Sequence, residues 1–532
     1  MSNSLARASD VRGGHVLSGF AAAVCIVAPL VALASLRSPA VGVTPSSPWI
    51  ALTNPVLRQI LLASAARAAL AAAIAGGCGL GLGVALATVR SSWARAGAVL
   101  HLLPLCLPPY LLALGVVHGL ARGGPLDTAV GASLRSSADS ALHGPWGFVA
   151  IQVLALTPLV TLLVLTAVRG MDPSPVEAAA LARGPFAALT RVVARHALPA
   201  AGAGATLVFL LTLGEVAVPT LLGVQTYAGT VFARLADLSF LPGEALSRSL
   251  PLVLLALAGT AVLLRLDRGG AVLPTAQSGR GPAAESLGRG TVRTTGLVTA
   301  GLAAMTPLLG LVWMAASGPD PFSALGPALG SAGWTVLYVT GAAVPLVGLG
   351  LLGGHAWARD PGRQTLSAGA ALLGLALPAV VLGIGLIALW NRPATTWIYG
   401  GAAVVLLGLG GRYLYVAQRA FKVVFDAIPA AEEEAAWIAR PGILSRWRWV
   451  MVPRVGRATW MVLAAVALLC LRDLDTILAI YPPGGETLAV RILTLEANAP
   501  PAQTATLALL QVALSAVLGV AVLARVARRR LR

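Results

Sequence analysis

Long apolar runs separated by short polar stretches follow one another along the whole chain. Apolar runs of about 18 or more residues are typical of membrane-spanning helices. Ala, Leu, Val and Gly dominate the runs, and the period-two alternation of membrane β-strands is rare. The predicted spans are 16–36, 68–89, 97–120, 146–168, 200–222, 249–266, 296–316, 334–354, 366–389, 396–416, 458–480 and 504–524. The pattern therefore predicts an all-α polytopic membrane protein with about 12 transmembrane helices.

The composition agrees with a membrane protein. Of the 532 residues, 57% are hydrophobic and only 11% are charged, which is too apolar for a soluble fold. The formal net charge is +18, and most of the basic residues lie in loops that are inside if the N-terminus is inside. We therefore expect cytoplasmic termini and a basic surface that faces anionic membrane lipid and a partner protein, with no need for nucleic acid.

Cysteine and histidine give no sign of a metal or redox site. The four cysteines lie inside apolar runs without a short pairing motif, and the six histidines are scattered without ligand spacing. Packing is the simplest role for the cysteines. We therefore expect no metal site, no cofactor and no catalytic residue in this chain.

Sequence landmarks recur in the two halves of the chain. Glu177–Ala179 returns as Glu434–Ala436, 257 residues later, and each copy lies in a polar stretch between apolar runs. These matches predict a tandem duplication of a six-helix unit. Because six is an even number, both units insert with the same orientation, and a transport route is expected between them. The other matched segments are Thr230–Arg234 with Thr487–Arg491, and Leu107–Gly115 with Leu377–Gly385 at an offset of 270.

The duplication predicts how the chain is divided. The first apolar run lacks a clear cleavage site, so we expect a retained helix rather than a signal peptide. The expected divisions are 1–59 (N-terminal tail, first transmembrane helix and outer loop), 60–266 (first unit, with an inner loop at 169–199), 267–295 (Gly-, Pro-, Ser- and Arg-rich cytoplasmic linker), 296–333 (seventh helix and outer loop), 334–526 (second unit, with an inner loop at 417–457) and 527–532 (basic cytoplasmic tail).

The two inner loops predict short surface helices. In the first loop, Ser174 and Glu177 have the spacing of a capping box, with Pro175 at the first helical position. In the second loop, three glutamates at 432–434 lie where a helix dipole favours acidic residues. Each glutamate could merely cap its helix. Two equivalent loops in two equivalent units favour a docking role.

The chain has no P-loop for a nucleotide. A P-loop needs Gly-Lys-Ser/Thr, and the one lysine, Lys422, lies between Phe421 and Val423. If transport by this chain uses ATP, another polypeptide must hydrolyse it.

At these loops the chain resembles the membrane permease subunits of binding-protein-dependent ABC importers, whose loop reads Glu-Ala-Ala, three residues, then Gly. The resemblance covers nearly the whole chain, twice. It implies coupling helices that insert into grooves on two ABC ATPase subunits, and a periplasmic substrate-binding protein that delivers cargo. It also implies a multi-pass transport subunit of the bacterial inner membrane that is not itself an enzyme. By position, the implied ATPase-coupling residues are Glu177, Ala178, Ala179, Arg183, Gly184, Glu434, Ala435, Ala436, Arg440 and Gly442.

Two departures from the family pattern affect the loops. Arg183 and Arg440 occupy the position of the family's glycine. Gly184 and Gly442 follow one and two residues later. The turn inside each loop is therefore less well defined by the resemblance than the role of the loop.

The cargo is addressed by a narrower resemblance. Fusion of two units in one chain, and the segment 471–491, are similar to ferric-iron permeases. This implies iron as cargo, with thiamine, polyamine and phosphonate as alternatives. An ion-coupled secondary transporter and a polytopic membrane enzyme are the other classes considered.

Four charged residues inside predicted spans are candidates for the transport pathway. Glu215 lies deep in the fifth span, and Arg472, Asp473 and Asp475 lie at the equivalent depth of the eleventh. Charges inside spans are costly and usually face a cavity or a partner. Three interpretations remain open: the helices end early and the charges lie in water, the charges line the outer mouth of a route, or they form a structural ion pair.

Overall fold

The computed structural model describes residues 2–35, 50–89, 91–120, 132–235, 242–267, 290–318, 320, 322–439, 445 and 447–528. These residues form helices and connecting segments, with no strand among them. Nine of their helices are long and apolar enough to cross a membrane, and three bent helix pairs raise the possible number of spans to 12. The predicted all-α polytopic fold is confirmed.

The helices of the first half run from the N-terminus to the end of the sixth span. They are α1 (Ser2–Ala22), α2 (Ala28–Ser35), α3 (Ile50–Thr53), α4 (Pro55–Thr88), α5 (Ser92–Leu102), α6 (Pro109–Leu120), α7 (Ala132–Leu142), α8 (Pro145–Arg169), α9 (Ser174–Arg183), α10 (Pro185–Ala187), α11 (Ala194–Gly214), α12 (Ala217–Leu221), α13 (Tyr227–Leu235) and α14 (Pro242–Asp267). Most of the predicted linker, residues 268–289, lies outside the described residues.

The helices of the second half repeat much of this order. They are α15 (Thr291–Ser317), α16 (Leu325–Arg359), α17 (Pro361–Ala376), α18 (Ala379–Trp390), α19 (Thr396–Tyr399), α20 (Ala402–Asp426), α21 (Ala430–Ala439), α22 (Val452–Arg472), α23 (Leu474–Ile480), α24 (Leu488–Glu496) and α25 (Pro501–Arg528). Short π-helical segments lie at Ala23–Val27, Ala188–Val193 and Trp447–Met451, and 3₁₀ turns at Leu103–Cys106 and Pro393–Thr395.

Two of the predicted spans are sharply bent, each at a Leu-Pro pair. The bend between α5 and α6 is 110°, and the bend between α17 and α18 is 112°. Proline cannot donate a backbone hydrogen bond and disfavours helical geometry in the residue before it. Accordingly, Leu107 is extended, with φ −112° and ψ 144°. Because Leu107–Gly115 and Leu377–Gly385 were matched in sequence, the equal bends favour the predicted duplication.

The two halves exchange their first helices. In each half the long helices pack in the same order, α4 with α8 and α11, and α16 with α20 and α22. Helix α15, however, packs on α5 and α6 of the first half, while α1 and α2 pack on α16, α17 and α18 of the second. This exchange joins the halves through two equivalent contacts.

Glycines allow these exchanged helices to approach closely. A β-carbon added at Gly115 on α6 would lie 2.1 Å from the carbonyl oxygen of Pro307 on α15. A β-carbon added at Gly385 on α18 would lie 2.8 Å from the carbonyl oxygen of Pro29 on α2. Small residues at such crossings are the usual means of helix association in membranes. The two contacts occupy equivalent places in the two halves.

A pair of hydrogen bonds also recurs in the two halves. The backbone N–H of Tyr227, at the start of α13, donates to the hydroxyl of Ser64 on α4 at 2.9 Å. The N–H of Leu488, at the start of α24, donates to the hydroxyl of Thr335 on α16 at 2.8 Å. Thr487 lies immediately before α24, so its structural counterpart is Thr226. The sequence match paired Thr487 with Thr230, which lies four residues after its structural counterpart, Thr226.

The fifth and eleventh spans end earlier than predicted. Their long helices stop at Gly214 and Arg472, where the hydrophobic pattern predicted 222 and 480. Each is followed by a short separate helix, α12 and α23. Apolar residues lie on both sides of each break, so a hydropathy average over a whole span does not reveal the breaks. The charged residues Glu215 and Asp473 mark the breaks.

Candidate functional site

Five charged side chains meet where α11 and α22 end. We call Glu215, Arg412, Arg472, Asp473 and Asp475 the charged cluster. Glu215 follows the last residue of α11, and Asp473 and Asp475 flank the first residue of α23. The structure thus brings together all four residues that the sequence singled out, although Glu215 and Asp475 are 260 residues apart in the chain.

Asp473 is the most fully paired member of the charged cluster. Its Oδ1 accepts a hydrogen bond from the backbone N–H of Thr476 at 3.0 Å, which caps α23. Its Oδ2 accepts from the hydroxyls of Thr476 at 2.8 Å and Tyr413 at 3.0 Å. Arg412 Nε lies 3.2 Å from the same oxygen. Asp473 is only 5% exposed, so the position is buried in the protein and is not in water beyond a helix end.

Asp475 connects the second half to the first. Its two carboxylate oxygens accept hydrogen bonds from the backbone N–H groups of Val216 and Ala217, both at 3.2 Å. These N–H groups lie at the start of α12, where backbone donors lack partners within the helix. The next backbone N–H group in the chain, that of Val218, donates a hydrogen bond to Glu215 Oε1 at 3.4 Å. Carboxylates from both halves therefore accept hydrogen bonds from the backbone N–H groups at the start of the same short helix, α12.

The two arginines of the charged cluster reach the two Leu-Pro bends. Arg412 Nη1 donates to the carbonyl of Leu377 at 3.0 Å, and Arg472 Nη1 donates to the carbonyl of Leu105 at 3.0 Å. Bent spans leave carbonyls without intrahelical partners, and guanidinium groups satisfy them. The charged cluster is thus tied to the bends and to the ends of α11 and α22.

The sequence analysis missed three polar residues at this place. Arg412 and Tyr413 lie inside the predicted span 396–416, and an arginine inside an apolar run was a usable signal. Gln152 on α8 adjoins Glu215 and is fully buried. With three carboxylates and two guanidinium groups, the charged cluster has a formal charge of −1.

The first surface helix, α9, begins differently from the prediction. Its N-cap residue is Pro173, and no side chain caps the helix. Instead, Asp172 Oδ1 accepts from the backbone N–H and the hydroxyl of Ser174, at 3.0 and 2.8 Å. These two hydrogen bonds lower the pKa of Asp172. The predicted capping box of Ser174 with Glu177 is wrong, because the Ser174 hydroxyl donates backwards to Asp172.

Helix α9 presents the predicted coupling residues at the surface. Glu177, Ala178 and Arg183 are exposed, while Ala179 is half-buried. Two large apolar side chains beside them are also exposed, Leu181 at 90% and Phe186 at 78%. Exposed apolar side chains next to charges are typical of a surface that another protein covers.

A turn at Gly184 separates α9 from the next helical segment. Gly184 has φ 81°, a left-handed backbone conformation that favours glycine. The glycine displaced by one residue from the family pattern therefore ends the helix. The corresponding Arg440 and Gly442 of the second loop lie outside the described residues.

The second surface helix, α21, uses its three glutamates differently. Glu434 and Ala435 are exposed, and Ala436 is buried. Glu432 forms a surface ion pair with Arg454 at 2.9 Å. Glu433 is buried and bonds to His355 and Arg359 at the end of α16. The sequence placed all three together in the first turns and did not distinguish these roles.

The Glu433 carboxyl stays ionised at neutral pH. Burial raises its pKa, but hydrogen bonds and charge interactions with His355 and Arg359 outweigh that effect and lower it to about 2. A group with a lowered pKa contributes stability above its ordinary pKa and loses that contribution as the pH falls towards the lowered value. The contribution of Glu433 is therefore constant at neutral pH and is lost only in strong acid.

Each surface helix is connected to the charged cluster by one long helix. The second π-helical segment, Ala188–Val193, follows α9 and α10 and runs into α11, which ends beside Glu215. The third π-helical segment runs into α22, which ends beside Asp473. π-helical turns inside helices are often found at functional sites. The two connections are equivalent in the two halves and converge on one cluster.

The nine to 12 candidate spans among the described residues are those of a multi-pass membrane protein. Comparison with known families agrees: residues 79–268 match the family described as the binding-protein-dependent transport system inner membrane component. The match runs from within α4 to the end of the first half. The match supports an ABC importer permease, as the resemblance predicted. No curated protein and no solved structure matches the chain.

Proposed function

We propose that this chain is the translocation subunit of an ATP-driven importer, with both permease units in one polypeptide. A periplasmic binding protein delivers cargo to the outer face, and two ABC ATPase subunits engage α9 and α21 at the cytoplasmic face. One observation carries the proposal: two equivalent surface helices each lead, through a π-helical segment and one long helix, to the same charged cluster.

The long helices supply the mechanical connection. Helix α11 has 21 residues, which at 1.5 Å per residue span about 30 Å, the thickness of the bilayer core. A displacement of α9 by its ATPase is carried along α11 to Glu215. The equivalent displacement of α21 is carried along α22 to Asp473. The hydrogen bonds from Val216 and Ala217 to Asp475 then break and re-form as the halves rock.

The charged cluster supports a cationic cargo. Its formal charge of −1 lies at the meeting of the two halves, where the route is expected. Carboxylates in a medium of low dielectric attract a cation far more strongly than they do in water. The arginines keep the net charge small, so that a cation can also leave.

We propose ferric iron as the cargo. Support comes from the fusion of two units and from the similarity of residues 471–491 to iron permeases, since that segment supplies Asp473 and Asp475 to the charged cluster. A deletion strain is expected to grow poorly under iron limitation and normally under thiamine, polyamine or phosphonate limitation. Normal growth without iron, with failure on one of the others, would reject iron and keep the importer.

An ion-coupled secondary transporter is the second candidate, favoured by the buried carboxylate of Asp473 and the half-buried carboxylates of Glu215 and Asp475. The two candidates differ in their energy source. In intact cells, uptake by an ABC importer stops when ATP is depleted while the membrane potential is maintained. Uptake by an ion-coupled transporter stops instead when an uncoupler collapses the ion gradient while ATP is maintained.

A further inference from the structure

We propose that Glu433, Arg359 and His355 form a buried latch that positions the second surface helix, α21, on the transmembrane helix α16. Among the residues that the structure describes, no equivalent charged latch holds the first surface helix. This inference rests on the proposed function, because it assigns the latch a role in coupling ATP hydrolysis to transport. In the proposed importer, Glu433 is a positioning residue, and the neighbouring glutamates face the ATPase.

Arg359 holds both the start of α21 and the turn before it. Its Nε donates to Glu433 Oε1 at 3.0 Å, and its Nη2 also donates to that oxygen. The same Nη2 donates to the backbone carbonyl of Ile428 at 3.1 Å. Arg359 is the last residue of α16. One guanidinium group therefore fixes the surface helix, and the turn that leads into it, to the end of a membrane helix.

His355 completes the latch one turn earlier on α16. Its Nε2 lies 3.3 Å from Glu433 Oε2. A carboxylate only accepts hydrogen bonds, so this Nε2 carries the proton. The His355 ring also packs edge-on against Phe425 at 4.9 Å and Trp447 at 5.2 Å between ring centroids. The latch therefore contacts α16, α20, α21 and the π-helical segment that leads into α22.

Burial separates Glu433 from any docking surface. The side chains of Glu433 and His355 are 9% and 8% exposed, and that of Arg359 is 11% exposed. Glu432 on the same helix is 45% exposed in its pair with Arg454. Removing one partner from a buried ion pair is costly because the other charge is left without compensation. An ATPase can reach Glu432 and Glu434, but it cannot reach Glu433.

The first half has uncharged residues at the equivalent positions. The offset of 257 pairs Glu433 with Val176, which is fully buried in an apolar cluster with Val168 and Met171. On α4 and α16, the equivalent hydrogen bonds of Ser64 and Thr335 set an offset of 271, which pairs Arg359 with Thr88 and His355 with Val84. The first surface helix is therefore held by non-directional apolar packing, and the second by directional charged hydrogen bonds. The two surface helices differ in how firmly their orientation is fixed.

The test uses the full chain with its ATPase and binding protein in vesicles, and measures ATP hydrolysis and uptake of radioactive ferric iron together. In Glu433→Gln, the amount of bound ATPase is expected to stay the same while iron imported per ATP falls about tenfold, the effect of losing a charge-assisted hydrogen bond. Asp139→Asn, which removes an exposed ion pair with His143 on α7, away from both surface helices, is the control and should behave as wild type.

A charge swap separates positioning from folding. The double substitution Glu433→Arg with Arg359→Glu restores opposite charges and is expected to recover much of the lost coupling. Unchanged coupling in Glu433→Gln would overturn the latch, and so would loss of bound ATPase, because that would make Glu433 a docking contact. If Glu433→Gln does not fold, the charge swap is compared with the double variant Glu433→Gln and Arg359→Gln. A folded charge swap that imports no more iron per ATP than this double variant also overturns the latch. A wild-type complex that shows no ATP-driven uptake would instead reject the proposed function.

Discussion

At the scale of single residues, Asp475 links the two halves of the chain within the charged cluster. Two backbone N–H groups from the first half converge on one carboxylate from the second, both at 3.2 Å. Hydrogen bonds to a charged acceptor contribute about 1.5–3 kcal/mol each, more than neutral ones. A contact of this kind can hold one arrangement of the halves and must open in another.

Replacing Asp475 with Asn tests this link. The amide keeps one accepting oxygen but loses the charge, so one of the two N–H groups is left without an acceptor. We expect the uptake rate to fall by about tenfold or more, in line with about 1.5 kcal/mol or more of lost stabilisation, while the affinity of the binding protein for cargo is unchanged. Asp139→Asn, an exposed change on α7, is the control. Wild-type uptake by Asp475→Asn would show that the link has no part in transport.

The sequence revealed the acids of the charged cluster but not their partners. Glu215, Asp473 and Asp475 were visible because charges are rare inside apolar runs. Arg412 carried the same signal and was overlooked. Its partner, the carbonyl of Leu377, becomes available only because a span bends there, and a hydropathy pattern does not show bends. The pairing of residues across the two halves depends on tertiary structure and has no local signal.

At the scale of helices, the exchange of the first helices is the feature that the sequence could not show. Apolar runs identify spans, but every lipid-facing run looks alike, and nothing in a run says which neighbour it contacts. Glycines within spans allow close packing between neighbouring helices. Gly79 and Gly83 on α4 confirm this, because a β-carbon on either would overlap Val160 or Val164 on α8.

The contact between α6 and α15, one of the two exchanged contacts, can be tested by replacing Gly115 with valine. Gly115→Val forces side-chain atoms onto the Pro307 carbonyl, which is backbone and cannot rotate away. We expect a loss of about 1–3 kcal/mol in folding stability, the usual cost of overpacking, seen as a lower unfolding temperature in detergent. Gly348→Val on α16, where nothing lies within 4 Å, controls for the intrinsic cost of valine in a helix. Equal unfolding temperatures for the two variants would contradict the close contact.

At the scale of the whole molecule, the account depends on two equivalent connections that meet at one place. The repeated tripeptide located both surface helices, and the structure joins each to the charged cluster through a single long helix. The class of protein was accessible from sequence because both inner loops resemble the Glu-Ala-Ala loop of importer permeases. The cargo was less accessible, because in the importers that the chain resembles, the binding protein recognises the cargo.

The central claim is that ATPase movement reaches the charged cluster through α9 and α21. The most direct measurement compares ATP-driven iron uptake by the wild-type chain, with its ATPase and binding protein in vesicles, with that of Glu177→Lys combined with Glu434→Lys. Lysine places positive charge near two helix N-termini, where the dipole disfavours it, and at the surface expected to meet the ATPase. The account predicts normal membrane insertion and loss of ATP-driven uptake in the double variant. Wild-type uptake by that variant would contradict it.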